Sequence, residues 1–456
     1  MKKFSLIVWI FLFQSACYHP HPVHQLPNMG KVEPRTLFLA LDGVDYFLIA
    51  ELKKEGYFKD FFNPAPFIST FPSVTGIGFT GIFKPLGVKK VPGYELKFYS
   101  LKDNKMEGGK LGEVYKIIFD FKLFFDRYRH KVEEKGLMYA FPGLAGKQDL
   151  QKTEKLLYKN DKNVLLSYVG GTDGSSHLLG RERTKRFLIY LDGYLHEMKQ
   201  RYHERTGRDL RVVLFSDHGF LHKKAKNIRL GLLKQRLKEN GFRIAKSLQS
   251  PYDVVTTRFG QLNSGVFFTT QGLHRSKVAK ILAQTKGVDL VFWYDEAPKK
   301  IFVLNSKSEE AWFEFKSEQM YRYQTITGDP LNYIPTLEKN NFKVGQWVDE
   351  DTWFRITYDH EYPDAGYRLY DGLTNLIENP GSILISTEKE YEYGSLAALV
   401  GTWTHFGHQG THGGLFKEST WGFMMTDWGT KRVLPIALRY DQLFPFFIPE
   451  VTDSLQ

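Results

Sequence analysis

Short, uninterrupted apolar runs punctuate this chain, and several of them stop close to an Asp. Thr36 to Leu41, Val164 to Val169 and Val212 to Phe215 are too short for free-standing helices. They also lack the polar alternation of a half-exposed strand. Such runs suit strands covered on both faces, as in a sheet flanked by helices. Longer stretches follow a helical period instead. Arg181 to Tyr202 sets Leu188, Leu191, Leu195 and Met198 on one face,. Gly112 to His130 does the same with Val114, Ile117, Ile118, Phe121, Phe124, Phe125 and Tyr128. This second stripe reads as a core-facing helix, or alternatively as a groove lining or a lipid-facing surface. Strands alternating with helices predict an α/β fold.

Beyond residue 222 the pattern changes. Gly265 to Thr270 and Val288 to Trp293 read as strands, with a helix over Ser276 to Gln284 between them. The Tyr-rich run Met320 to Tyr323 leads into a turn at Gly328-Asp329-Pro330,. Glu361 to Asp364 and Glu388 to Tyr393 read as loops beside a site, and Gly381 to Ser386 as a strand returning to the core. The expected division is a core over 35–222 and 381–456, an insertion over about 91–160, and a cap over 223–380. No internal repeat is visible.

Chemistry in open α/β sheets collects beyond the carboxyl ends of the strands. The first apolar run is followed there by Asp42-Gly43. The second runs into Gly170-Gly171-Thr172-Asp173, with His177 four residues on, and the third into Ser216-Asp217-His218-Gly219. A single Asp-His pair is equally at home in a turn; an Asp at all three strand ends, joined by a His at two of them, argues for divalent-metal ligands. His412 joins them from Gly410-Thr411-His412-Gly413, with His405 and His408 as local rivals. In Ile68-Ser-Thr-Phe-Pro-Ser-Val-Thr-Gly76, Ser69 and Thr70 are candidate nucleophiles and Pro72 suits a helix start,. The hydroxyls of Ser73 and Thr75 would then lie at a helix N-terminus, which favours an anion. Lys84, Lys89 and Lys90 read either as phosphate contacts or as a solvated face.

Together these motifs resemble the alkaline phosphatase superfamily, most closely its type I phosphodiesterase or nucleotide pyrophosphatase-like branch. The likeness rests on Asp42-Gly43, Thr70-Phe71-Pro72-Ser73, Asp173-Gly-Ser-Ser-His177, Ser216-Asp217-His218-Gly219 and Gly410-Thr411-His412-Gly413, in that order. It covers residues 36–90, 160–222 and 405–430. It implies a three-layer αβα sandwich with a mixed, mainly parallel sheet, and a cap or insertion. It also implies two divalent metals, zinc by family habit. One would be held by Asp173, His177 and His412, the other by Asp42, Asp217, His218 and the Thr70 hydroxyl. Two such ions about 4 Å apart clamp the oxygens of an in-line displacement. The resemblance makes Thr70 the nucleophile, a phospho-threonine the intermediate, and Ser73 the substrate contact in a place where the family carries Asn. The activity it implies is phosphodiester hydrolysis of a nucleotide or lipid headgroup. The alternatives are a monoester phosphatase, a phosphonate hydrolase, a headgroup transferase, or a membrane-tethered binding protein that keeps the fold.

The first residues read as an export signal. Lys2 and Lys3 precede an apolar segment, Phe4 to Phe13, then Ser15-Ala16-Cys17,. The pattern is similar to a bacterial lipobox, with Gln14 where Leu is usual, and makes Cys17 the lipidated residue. Ordinary cleavage and an uncleaved anchor are the alternatives. A Pro-rich tether with His19, His21 and His24 follows, over 18–34,. The expected place is therefore the cell envelope of a bacterium, on the periplasmic or surface side. Cys17 is the only Cys of 456 residues, which excludes an intramolecular disulfide,. A net charge of +11 favours anionic headgroups or phosphate-rich substrates,. No nucleic-acid-binding module is present, so sequence-specific nucleic-acid binding is not expected.

Overall fold

The structure is a computed structural model that describes residues 34–109, 119–129, 137–159, 161–270, 272–297, 299–317, 319–395, 408–428 and 435–448. The export signal, Cys17 and most of the tether lie outside the described residues, as does His405.

Six strands form the sheet that carries the three apolar runs: β1 (Arg35–Leu41), β2 (Ala65–Ile68), β3 (Val164–Val169), β4 (Leu210–Phe215), β5 (Trp421–Thr426) and β6 (Leu438–Arg439). Their order is β6-β2-β5-β4-β1-β3. β1 pairs in parallel with β3 and β4, and β2 with β6, while β5 runs antiparallel to both neighbours. Successive side chains of a strand point to opposite faces, and both faces here are buried. Leu37, Leu39, Leu41, Val212 and Leu214 enter one apolar cluster; Phe38, Ala40, Val213 and Phe215 enter another. The first face is covered by α1 (Tyr46–Lys54) and by α5 (Arg181–Thr206), the latter through Leu188, Leu191, Leu195 and Met198. The second is covered by α2 (Thr75–Ile82). Two further helices, α3 (Pro142–Lys159) and α4 (Gly171–Leu178), flank β3. The expected αβα sandwich with a mixed sheet is the fold observed.

The aromatic stripe of 112–130 is described only in part. Asp120–Phe124 is a 3-10 turn, and Phe121, Phe124, Phe125 and Tyr128 are buried against Phe79, Phe83 and Tyr168. They pack into the core.

The region after 222 builds a nine-stranded sheet. One expectation is corrected there. Ile383–Thr387 does not return to the core: it pairs with Ser264–Phe268 and Val288–Asp295 in the second sheet. The strand that returns is β5. Glu388 to Tyr393 is also more ordered than a loop, because Tyr391–Gly394 is the middle strand of a small three-stranded sheet. Among the described residues no helix is long and apolar enough to cross a membrane.

Candidate active site

The Asp and His ligands expected after β1, β3 and β4 stand beyond the ends of those strands. Asp42 follows β1. Asp217 and His218 follow β4. Asp173 and His177 sit four apart on α4, a helix rather than the expected loop, and so share one face of it,. His412 comes from a remote loop pinned at several points. Its neighbour Thr411 exchanges backbone hydrogen bonds with Leu221, and the His412 carbonyl accepts from Asn263 N–H at 2.7 Å. All six side chains are buried.

The three imidazoles are held alike. The Nδ1 atoms of His177, His218 and His412 lie 3.1, 2.9 and 2.8 Å from the carbonyls of Gly410, Gly219 and Ser73. A carbonyl only accepts, so each Nδ1 carries a proton, and in the neutral imidazole Nε2 is then the lone-pair atom. Those lone pairs face carboxylates. His177 Nε2 is 3.3 Å from Asp173 Oδ1, His218 Nε2 is 3.4 Å from Asp217 Oδ2 and 3.6 Å from Asp42 Oδ1, and His412 Nε2 is 3.8 Å from Asp173 Oδ1. Acceptors facing acceptors in a dry site repel unless positive charge lies between them. Asp173 Oδ1 and Asp217 Oδ2 are buried with no hydrogen-bond partner among the described residues. Backbone carbonyls that fix imidazole tautomers are the usual outer support of metal ligands. Donors about 2.0–2.1 Å from a tetrahedral zinc ion lie roughly 3.3 Å from one another, close to these separations. The residues therefore fit divalent cations.

Two groups have ligand atoms within 4.8 Å of one another: Asp173, His177 and His412, and Asp42, Asp173 and His218. The first is the expected trio. In the second Asp173 stands where Asp217 was expected, while Asp217 keeps one oxygen on Gly43 N–H and turns the other to His218. Asp173 is thus shared by both groups. Burial, followed by the charges of Asp217 and Asp173, raises Asp42 well above the ordinary carboxylate range. Burial likewise raises Asp217, against the pull of His218. For Asp173 burial is outweighed by His177, His412 and His218, which hold it low. Burial and the nearby His218 push His412 well below the usual imidazole range.

The threonine hydroxyl that meets these carboxylates and imidazoles belongs to Thr75. Its Oγ1 donates to Asp42 Oδ1 at 3.1 Å and lies 3.4 Å from His218 Nε2. Thr75 is the first residue of α2, whose N-cap, Val74, supplies no capping side chain. Gly78, one turn on, lets the helix approach the Asp217 backbone; a Cβ there would lie 3.1 Å from the Asp217 carbonyl. The expected nucleophile, Thr70, is engaged elsewhere. Its hydroxyl donates to the Pro72 carbonyl at 3.1 Å, and its methyl lies against Gly81. The expected substrate contact, Ser73, is fully buried. Its hydroxyl donates to the Thr70 carbonyl at 2.8 Å and accepts from Arg368 at 3.1 Å. The Arg368 guanidinium also donates to the carbonyls of Ser69, Thr70, Pro363 and Leu415, so it braces the 69–73 segment. Ser69 donates to the Asp217 carbonyl at 2.6 Å. Lys84 pairs with the buried Asp371 at 2.9 Å and Lys90 donates to the Thr374 carbonyl, so neither is spare for a phosphate. His408, the rival of His412, stacks on His177 at 4.7 Å between ring centres. Two residues were missed in sequence: Tyr168, whose phenol donates to Asp42, and Tyr139, placed beside Asp173. Tyr168 lies in an apolar strand and carries no motif of its own.

No protein-family profile matches the chain, and no curated protein matches it. Solved structures do. The phosphonoacetate hydrolase of Sinorhizobium meliloti 1021, in complex with phosphonoformate, is 15% identical with a TM-score of 0.50, over 92% of this chain and 95% of that one. Human ectonucleotide pyrophosphatase/phosphodiesterase 5 is 10% identical with a TM-score of 0.47, again over 92% and 95%. The chain therefore shares its fold, nearly end to end, with phosphonoacetate hydrolase, an alkaline phosphatase-like αβα sandwich.

Proposed function

We propose that this chain is a metal-dependent phosphoester hydrolase in which Thr75, not Thr70, is the nucleophile. The observation that carries the proposal is the Thr75 hydroxyl at a helix N-terminus, within reach of Asp42 and His218, above a buried cluster of three carboxylates and three lone-pair-bearing imidazoles. Asp173, His177 and His412 would hold one divalent ion; Asp42, His218 and Asp217 a second, with Asp173 within reach of both. When bound, such ions supply Lewis-acid charge and make a hydroxyl acidic enough to attack near neutral pH. The Thr75 oxygen then attacks phosphorus and the P–O bond to the leaving group breaks; the phosphoryl group stays on Thr75, with its second ester substituent when the substrate is a diester, until water hydrolyses the Thr75 ester. The free N–H groups at the start of α2 face the phosphoryl oxygens and favour their charge. The neighbouring Tyr168 phenol orients Asp42.

We favour phosphodiesters, with monoesters and phosphonates as the alternatives. The likeness to phosphonoacetate hydrolase keeps phosphonates in view. The amino-terminal segment supports a place outside the cytoplasm. Hydrolysis of a nitrophenyl phosphodiester and the matched monoester, with zinc and with chelator, tests the reading. Thr75→Ala is expected to lower turnover by at least about a hundredfold with unchanged folding, whereas Thr70→Ala keeps metal-dependent activity. Full activity in Thr75→Ala would remove it from the chemistry.

A further inference from the structure

A second concavity lies in the region after 222. It has a volume of about 1070 Å³ and is lined by Lys226, Arg229, Arg236, Arg258 and Lys286, with Glu239 as its one carboxylate. None of the five cations forms an ion pair with a carboxylate among the described residues. Arg236 donates to the Gln284 carbonyl at 2.6 Å, a neutral group. Arg258 donates to Asn227 Oδ1 at 3.0 Å and lies over the Tyr393 ring, while its Nε is buried without a partner. Arg229 is also the N-cap of α6 (Leu230–Glu239), a ten-residue helix with no side-chain cap. The positive end of that helix therefore opens among the same cations. Like charges gathered around a concavity repel one another. A multiply charged anion would relieve them and make use of the uncapped N–H groups.

We propose that this cavity binds a small phosphate-bearing ligand with two or more negative charges, at a site separate from the Asp–His cluster. The two lie close in the fold. Glu392 stands between them, with Oε1 3.5 Å from Asn227 Nδ2 at the cavity wall and Oε2 3.5 Å from His408 Nδ1 on the other side. The proposal does not depend on the hydrolase reading, because the lining residues hold none of the candidate metal ligands.

The test uses the full chain stripped of metal, so that a metal-held phosphate does not contribute. Calorimetric titration with inorganic tripolyphosphate at low salt is expected to show one saturable site whose affinity falls as salt rises. Arg229→Glu with Lys286→Glu, both at exposed positions, should weaken binding by at least about tenfold without moving the thermal midpoint. Lys226→Gln should weaken it by about threefold, and serves if the double variant misfolds. Asp173→Ala should leave it unchanged. Binding absent in the native chain, retained in the double variant, or lost in Asp173→Ala would overturn the proposal. So would capture by anionic phospholipid vesicles without any tripolyphosphate binding, which would make the patch a membrane-facing surface.

Discussion

Gly43 offers a sharp test of the packing around the carboxylates. It follows Asp42 with a φ of +61°, and a Cβ built there would lie 2.9 Å from Asp173 Oδ1 and 3.2 Å from His218 Cε1. Gly43→Ala should therefore carry two separable costs. The left-handed backbone disfavours any L side chain by about 1–2 kcal/mol. The methyl group must in addition displace a carboxylate that serves both candidate metal groups. Gly207 has nearly the same backbone, φ +70°, with nothing within 4 Å of a built Cβ. Gly207→Ala thus carries the first cost alone. Metal sites tolerate ligand shifts of only about 0.2 Å, and relieving a 2.9 Å contact takes more than that. Gly43→Ala is expected to weaken metal binding by at least about tenfold, or roughly 1.4 kcal/mol. Bound metal measured against buffered free zinc, beside thermal unfolding, reads both costs. Equal thermal losses in the two variants, with full metal retained in Gly43→Ala, would refute the reasoning.

Two further outcomes follow from groups away from the chemistry. Asp149 is fully buried, pairs with Arg129 at 2.9 Å and accepts from Gly170 N–H ahead of α4. Asp149→Ala removes the carboxylate that pairs with the buried Arg129 and should cost about 3–5 kcal/mol in denaturant unfolding; a loss below about 1 kcal/mol would contradict this. Glu51 is held down to about 2 from its ordinary 4.5, first by its hydrogen bond to Arg181 and then by Lys185. A lowered carboxylate stabilises the fold above its unfolded value, and that contribution fades as pH falls from about 4.5 towards 2,. Glu51 is partly exposed, so the size is under about 1 kcal/mol. Glu51→Gln should lower the thermal midpoint slightly at pH 7, with the gap narrowing as the pH drops to about 3. A gap that widens on acidification would reverse the assignment.

The core of the fold was legible because buried strands write themselves as unbroken apolar runs. β1, β3 and β4 each end where a ligand begins, and the helix Arg181–Thr206 follows from its leucine spacing. The second sheet was not. Ile383–Thr387 is as apolar as a core strand, and only its partners in space assign it to the other sheet. The nucleophile segment shows the same limit. Thr70-Phe-Pro matches the motif of the resembled family, but the helix begins five residues later, at Thr75. The signal that favours Thr75 was present: a hydroxyl followed by Gly76 and Gly78, small residues that let a helix close on a neighbouring backbone. Ser73, which the resemblance makes the substrate contact, is fully buried and hydrogen-bonded to Arg368, a partner remote in sequence.

The central claim is that a phosphoryl group passes to Thr75. Acid-quenching the zinc-loaded chain during turnover of a nitrophenyl phosphodiester, then sequencing the 65–84 region by fragmentation mass spectrometry, locates that group directly. The account requires the phosphoryl group, still carrying its second ester substituent, on Thr75, and its loss in Thr75→Ala. The same adduct on Thr70 with Thr75 unmodified would contradict it.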